Sequence, residues 1–422
     1  MKKKIFHYLA DLRFAIIMLT LISLCSIIGT LIEQEQSIAF YKLNYPFSKI
    51  GFQLINWSNI LYFNFDHIYT TGWFLSLLVL FGFSLLTCTL IQQFPSLKIV
   101  RRCQFFRIIK QFNVLFTSKT LVSSFFPQII TSLKKQNYTL FQQKNTLYFY
   151  KGLIGKIAPI FVHFSIILIL TSTLISAING FKAQQILEKL EVNHIQNVLS
   201  DGKFTYIPNI TYRINDSWIN YKNEQLISQF YSNFSILNKF GIEVKNQTNF
   251  INFPFIYRKL YYYQTDWNLT KIRLIFESNQ LFEFPLLKSG STDDKIWLTW
   301  IVSNLKKKTG ILLILDNLLT YLSVYNNQGM FLGNLELNEK FIFQSTVTFL
   351  EVLNSIGLQV KNDPGTLLLY DSFLFLLVSI FLSYINYTQI WILYKNSVFL
   401  LGTTNNRTVV DLKRSYLVYL SL

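Results

Sequence analysis

Charge is in short supply in this chain. Asp, Glu, Lys and Arg make up 14% of its 422 residues, well below the roughly 25% usual for soluble domains. Hydrophobic residues fill 51% of it and the mean hydropathy is +0.31, which excludes an ordinary soluble composition and points to a membrane protein. Cysteine is nearly absent. Cys25, Cys88 and Cys103 form no C-x-x-C pair, and none occurs from Asn179 to Asp363. No disulfide framework can be built from them. A thiol-redox role would need an accessible reactive pair, so that class is excluded too. There is no glycine-rich nucleotide loop, no H-E-x-x-H and no G-x-S-x-G. No internal repeat is visible, which argues against the main rival class, a stand-alone transporter or channel.

What is abundant is Phe (40) and Tyr (24), with Ile, Leu, Asn and Lys. All have AT-rich codons, and the skew reads as genome bias. It also explains the chance N-x-S/T triplets at Asn209, Asn233 and Asn268. Four apolar runs stand out, Phe14–Ile32, Gly72–Ile91, Ile157–Ile178 and Leu367–Ile385. About 20 residues at 1.5 Å each cross the roughly 30 Å hydrocarbon core, so all four qualify as membrane helices. The basic lead MKKK before the first resembles a signal peptide. The long apolar run and the lack of a small-x-small site favour an uncleaved anchor.

Lysine and arginine placement gives the orientation. The loop at 92–156 carries eleven of them and no Asp or Glu, including RRCQFFRIIK (Arg101–Lys110). The loop at 33–71 has only Lys42 and Lys49 against Glu33, Glu35 and Asp66. The N-terminus (1–13), the loop 92–156 and the tail (386–422) are therefore expected on the cytoplasmic or stromal side. The positive-inside rule accounts for this charge without a nucleic acid. Residues 179–366 are expected on the other side as a large, mostly β domain. FTYIPNITYRI (Phe204–Ile214), FPFIYRKLYYYQ (Phe253–Gln264) and TKIRLIFES (Thr270–Ser278) read as strands. AQQILEKLEVNHI (Ala183–Ile195) and TVTFLEVLNSIG (Thr346–Gly357) read as short helices. The expected fold class is thus an integral membrane protein of four transmembrane helices with a β-rich external domain.

Histidines number four, and one of them, His163, lies inside the third apolar run. An ionisable residue at membrane depth suggests function. Neutral imidazole is a natural axial ligand of haem iron, while helix packing through a hydroxyl or carbonyl and a proton relay are the other readings. His67, in FDHIYTTGW at the far edge of the second run, reads as part of an interfacial belt or as a haem contact. His7 and His194 read as solvated. Asp363-Pro364-Gly365 is a turn signal, and with Lys361 it could instead meet a partner. Asp371 could pair within the bundle, and Cys25 and Cys88 read as small buried hydrophobes.

Several strings together resemble the ResB/CcsB family of membrane proteins from the System II pathway of c-type cytochrome maturation. LRFAIIMLTLISLCSIIGTLIEQ (Leu12–Gln34) is similar to the family's first helix, with Gly29, Thr30 and Gln34 in place. FDHIYTTGWFLSLLVLFGFSLLTCTLIQQFPSLK (Phe65–Lys98) is similar to the second, from Asp66-His67 through Cys88-Thr89 to Pro95. KGLIGKIAPIFVHFSIILIL resembles the third through Gly152, Gly155, Pro159 and His163. QFYSNFSIL (Gln229–Leu237) and YQTDW (Tyr263–Trp267) match external strings. The approach to the fourth helix carries the K-x-D-P-G of Lys361, Asp363, Pro364 and Gly365. One departure is visible: the family pattern has a histidine where this chain has Tyr387. The resemblance covers most of the chain.

The resemblance implies an accessory subunit of a cytochrome c synthase, with no catalytic residues of its own. It would share a transient haem b, held through His163, with a CcsA-like membrane partner. Apocytochromes c would be its clients, and their thiol reduction would fall to other proteins, met only indirectly. It further implies a thylakoid membrane in a plastid, with the large domain in the lumen. The composition and the lack of an Arg/Ser-rich transit peptide fit a plastid-encoded chain, and a cyanobacterial membrane is the alternative.

Overall fold

The computed structural model describes residues 2–47, 56–95, 97, 103–112, 117–121, 126–223, 226–276, 280–289, 296–304, 309–316, 321–343, 345–395 and 398–405. Lys49, Lys98, Arg101, Arg102, Arg407, Lys413 and Arg414, which contribute to the charge pattern, lie outside them. The chain divides into two units, Met1–Ala177 with Gly365–Leu422, and Ile178–Pro364.

Four helices of the first unit are long and apolar enough to cross a bilayer: Leu12–Leu31, Gly72–Gln93, Leu153–Asn179 and Thr366–Ser383. Many of their hydroxyls are tolerable in hydrocarbon because they return to a carbonyl of the preceding turn. Thr20 donates to Ile16 at 2.9 Å, Ser165 to Phe161 at 2.7 Å and Ser379 to Phe375 at 2.7 Å. The first helix begins where the Asp11 carboxylate accepts from the Arg13 amide at 3.1 Å. Before it, the short helix Lys2–Leu9 meets the second long helix: Ser84 donates to the Leu9 carbonyl at 2.8 Å, and Gln92 to that of Ala10 at 2.8 Å.

The third and fourth helices approach through small residues. Those buried on the third are Gly155, Ala158, Ser165 and Ser172, and on the fourth Ser372 and Ser379. Small side chains let helix backbones come close when lipid gives no hydrophobic drive. A methyl group on Gly155 would overlap the Ile385 carbonyl oxygen, and one on Gly365 would overlap that of Ser172. Ser172 donates to the Gly365 carbonyl at 2.9 Å.

The described residues of the connection 33–71 include two short helices. Ser37 caps Ile38–Asn44 and Asn56 caps Trp57–Tyr62, around buried Ile32, Tyr41 and Ile60.

The loop 92–156 and the tail, read above only for their charge, combine in one antiparallel sheet. Its order is Thr117–Leu121, Val398–Asn405, Thr388–Lys395, Thr146–Lys151, Thr139–Gln143. Leu147, Phe149, Ile390, Ile392 and Leu401 form one buried face with Leu133. Tyr148, Trp391 and Leu393 form the other with Phe112, Cys103, Phe105 and Phe106. The aromatic half of RRCQFFRIIK is therefore packing material: Phe106 stacks on Trp391 at 4.6 Å, whose indole donates to the Gln104 carbonyl at 2.7 Å.

The second unit is all sheet. Leu260–Phe276 and Ser345–Asn362 pair along their lengths and serve two cores. One core holds Phe181, Tyr212, Phe234, Phe255, Tyr262 and Leu358. The other holds Ile272, Leu274, Trp297, Leu313, Val324 and Phe349. Register shifts at Gln264/Asp266 and Leu269/Lys271 re-aim the strand between them.

Two expected helices are strands. Ala183–Ile195 falls in Phe181–Glu188 and Val192–His194, and Thr346–Gly357 in Ser345–Asn362. Phe181, Ala183, Gln185 and Leu187 are buried at every second position, so packing with period two overrides a good local helix propensity. In the expected strand Phe204–Ile214, only the part from Thr211 is strand.

Candidate functional site

His163 lies in the third long helix, half-buried, against the end of the second. There the second helix widens into a π turn, Thr89–Gln93, closed by the Phe94 amide donating to the Thr89 carbonyl. Such turns are rare and recur at functional sites. This one presents Thr89 and Gln93 to the imidazole. Thr89 donates its hydroxyl proton to the Leu85 carbonyl at 2.7 Å, and its oxygen lies 3.0 Å from His163 Nδ1. With its proton committed, Thr89 accepts from Nδ1–H. The imidazole is then the tautomer whose Nε2 carries the lone pair. The Gln93 amide nitrogen lies 3.1 Å from Nε2 and 3.3 Å from Nδ1, within reach of both ring nitrogens.

The arrangement suits a metal-ligating histidine, in which a fixed acceptor behind the ring holds one nitrogen and sets the tautomer. The other neighbour of the ring, the Gln93 amide, is carried on a flexible side chain that can rotate away. One axial imidazole for haem iron fits this chemistry.

His67 is elsewhere. It precedes Gly72, while Thr89 and Gln93 end the same helix, a separation of roughly 26 Å at 1.5 Å per residue. The two histidines are not brought to one iron. His67 Nδ1 pairs with Asp66 at 3.0 Å in a short 3₁₀ segment, Phe65–Thr70, with its ring partly exposed. Gln34 fixes this segment to the end of the first helix. Its amide donates to the carbonyls of Ile32 at 2.8 Å and Phe65 at 2.9 Å, and its oxygen accepts from the Ile68 amide at 3.1 Å. Tyr69 seats on Gly29, where a methyl would stand 2.8 Å from its hydroxyl. Gly29, Gln34, Asp66 and His67, separate strings in the sequence, thus form one structure.

Lys361 and Asp363 pair at 3.0 Å as the strand Ser345–Asn362 ends. Pro364 follows, and Gly365 is the N-cap residue of the fourth helix. Asp371 is exposed and has no hydrogen-bond or ion-pair partner among the described residues. Tyr387, where the family pattern has histidine, is buried with its hydroxyl 3.3 Å from that of Tyr148. Sequence reasoning passed over Gln93. A Thr and a Gln four residues apart at the end of an apolar run share one helix face, and that spacing was the available signal.

Four helices long and apolar enough to cross a membrane, joined to a double-cored β domain, define an integral membrane protein with a large sheet-rich domain. The chain belongs to the ResB-like family, whose pattern it matches over residues 12–308 and 319–416. It is 52% identical over 409 residues to the cytochrome c biogenesis protein Ccs1 of Thalassiosira pseudonana, covering 97% of both chains. The protein of that name from Phaeodactylum tricornutum is 50% identical over 416 residues, 99% of each. That from Porphyra purpurea is 38% identical over 422 residues, 99% of this chain and 96% of the relative.

Proposed function

We propose that this chain works in c-type cytochrome biogenesis as the haem-handling and apocytochrome-chaperoning subunit of a cytochrome c synthase in a plastid thylakoid membrane. The names of its relatives support the biogenesis role. The observation that carries the haem step is the His163 site, an imidazole in an apolar helix with Nδ1 beside the Thr89 hydroxyl and a movable Gln93 amide within reach of both ring nitrogens.

In this reading His163 supplies one axial nitrogen to a transient haem b, Thr89 keeps the ring in the ligating tautomer, and Gln93 yields its place. The haem brings the vinyl groups to be joined to apocytochrome cysteines. A CcsA-like partner supplies the second axial ligand. His67 with Asp66 stands at the other end of the second helix, suited to a contact where haem emerges. The β domain Ile178–Pro364, with the Lys361–Gly365 motif at its exit, offers the surface for apocytochromes c, whose thiols are reduced by other proteins. The sheet shared by loop 92–156 and the tail supports a common side for both, and the placement of lysine and arginine favours the stromal side. The β domain then lies in the lumen.

The test is co-purification with the CcsA-like partner and a visible spectrum. His163→Ala should lower the Soret band and the yield of mature cytochromes, and added imidazole should restore the band. An unchanged spectrum with normal cytochrome yield sinks the haem role.

A further inference from the structure

The third long helix is 27 residues, about 40 Å at 1.5 Å per residue, some 10 Å more than the hydrocarbon core. Its surplus lies at the start, where Lys156 sits in the second turn. At the other end the apolar sequence runs through Ile175 to Ile178, so the last turn marks the edge of the hydrocarbon.

The loop after Asp201 is fastened to this edge. The Phe204 amide donates to the Ile178 carbonyl at 3.0 Å, and the Gly202 amide to that of Gly180 at 2.9 Å. The Thr205 hydroxyl donates to the same Gly180 carbonyl at 2.8 Å and accepts from the Gly202 amide at 3.0 Å. Three hydrogen bonds thus hold the loop at the exit of the helix. Yet Phe204 is 77% and Tyr206 78% exposed. Neither ring joins either core of the domain, whereas Tyr212, a few residues on, is wholly buried. Lys203 beside them is exposed as well.

We propose that the loop Gly202–Ile207 is a lipid-interface anchor. Phe204 and Tyr206 lie in the boundary between acyl chains and headgroups of the bilayer the chain spans, with Lys203 among the headgroups. Aromatic rings favour this layer because it takes their apolar faces while leaving a hydroxyl wet, and lysines there reach toward phosphate. An anchor there would hold this loop at the bilayer surface.

The experiment uses the full-length chain with Cys25, Cys88 and Cys103 replaced by serine. Single cysteines at Phe204→Cys, Tyr206→Cys or Phe240→Cys carry a nitroxide, in phosphatidylcholine–phosphatidylglycerol liposomes without any partner. Phe240 is 87% exposed in the turn between Asn238 and Ile242, distant in sequence from the helix exit, and serves as the water-exposed reference. Labels at 204 and 206 should collide with oxygen several-fold more, relative to a water-soluble nickel chelate, than the label at 240. Chelate access equal to that at 240 overturns the anchor. Protection that arises only when a partner protein is added also overturns it, in favour of a protein-docking loop. Unchanged far-ultraviolet dichroism qualifies each labelled chain, and Tyr206→Cys carries the test if Phe204→Cys fails to fold.

Discussion

At the residue scale the chain separates polar atoms that are held from those that are not. Thr89 is held, and its role is testable apart from haem. Thr89→Val keeps the shape and removes the acceptor, so nitrogen NMR of histidine-labelled protein should show His163 losing its single Nδ1–H tautomer, while Thr89→Ser keeps it. Haem retention with the partner should weaken about 10-fold in the valine variant, the low end of what losing such a supporting bond costs. Tyr262 is the contrasting case. Its ring is wholly buried and its hydroxyl has no hydrogen-bond partner among the described residues, while the neighbouring Tyr212 donates to Gln185. Removing a buried unsatisfied hydroxyl relieves a desolvation cost, so Tyr262→Phe should raise stability by about 1 kcal/mol, read as a higher thermal midpoint. Burial pushes both phenols well above their ordinary range. They stay neutral in the folded domain and ionise near pH 10 when it unfolds. Stability is therefore whole below about pH 10 and declines as pH rises further. The thermal midpoint should fall more gently above pH 10 in Tyr262→Phe than in the parent chain.

Among elements, glycines decide how close the helices come. Gly155→Ala would force a methyl against the Ile385 carbonyl, a backbone atom that cannot step aside as a flexible side-chain end can. Overpacking of this kind costs roughly 1–3 kcal/mol or more. The thermal midpoint in detergent should drop accordingly, and Gly72→Ala, where an added methyl meets nothing within 4 Å, should leave it near the parent value. The ion-pair ladder on the β domain matters less. Arg273 pairs with Glu283 at 2.8 Å and with Glu351, and Lys271 with Glu188 at 2.7 Å, all on partly exposed side chains. Arg273→Ala should cost at most about 1 kcal/mol, and less in high salt. The long helices could be read from sequence because length and apolarity alone define them. The strands at Phe181–Glu188 and Ser345–Asn362 could not, since their local sequence favours helix and only the two cores they cover make them strands. His163 was legible as a polar residue out of place. Its partners Thr89 and Gln93 show in the sequence only as two polar residues four apart at the end of an apolar run, because the π turn that aims them has no sequence signature of its own.

At the scale of the whole molecule, the least legible feature was the sheet built from loop 92–156 and the tail. Thr146–Lys151 and Thr388–Lys395 lie more than two hundred residues apart, with two membrane-length helices and the entire β domain between them. Neither stretch can complete a buried face alone, so neither announces itself. Once formed, the sheet constrains topology more strictly than charge does. Backbone hydrogen bonds such as those joining Tyr148 to Trp391 in register cannot form across a bilayer, so both stretches must share a side, with an even number of crossings between them. Trp391→Ala removes the indole at the centre of one face and should cost about 3–5 kcal/mol, seen as protease cleavage in both the loop and the tail at once. Topology is then read on sealed vesicles in the serine background, with single cysteines at Lys134, Lys395 and Phe240 and an impermeant thiol reagent. Lys134 and Lys395 should react from the same side and Phe240 only after the vesicles are opened, or the reverse in inverted vesicles. Labelling of Lys134 and Lys395 from opposite sides would be incompatible with the shared sheet.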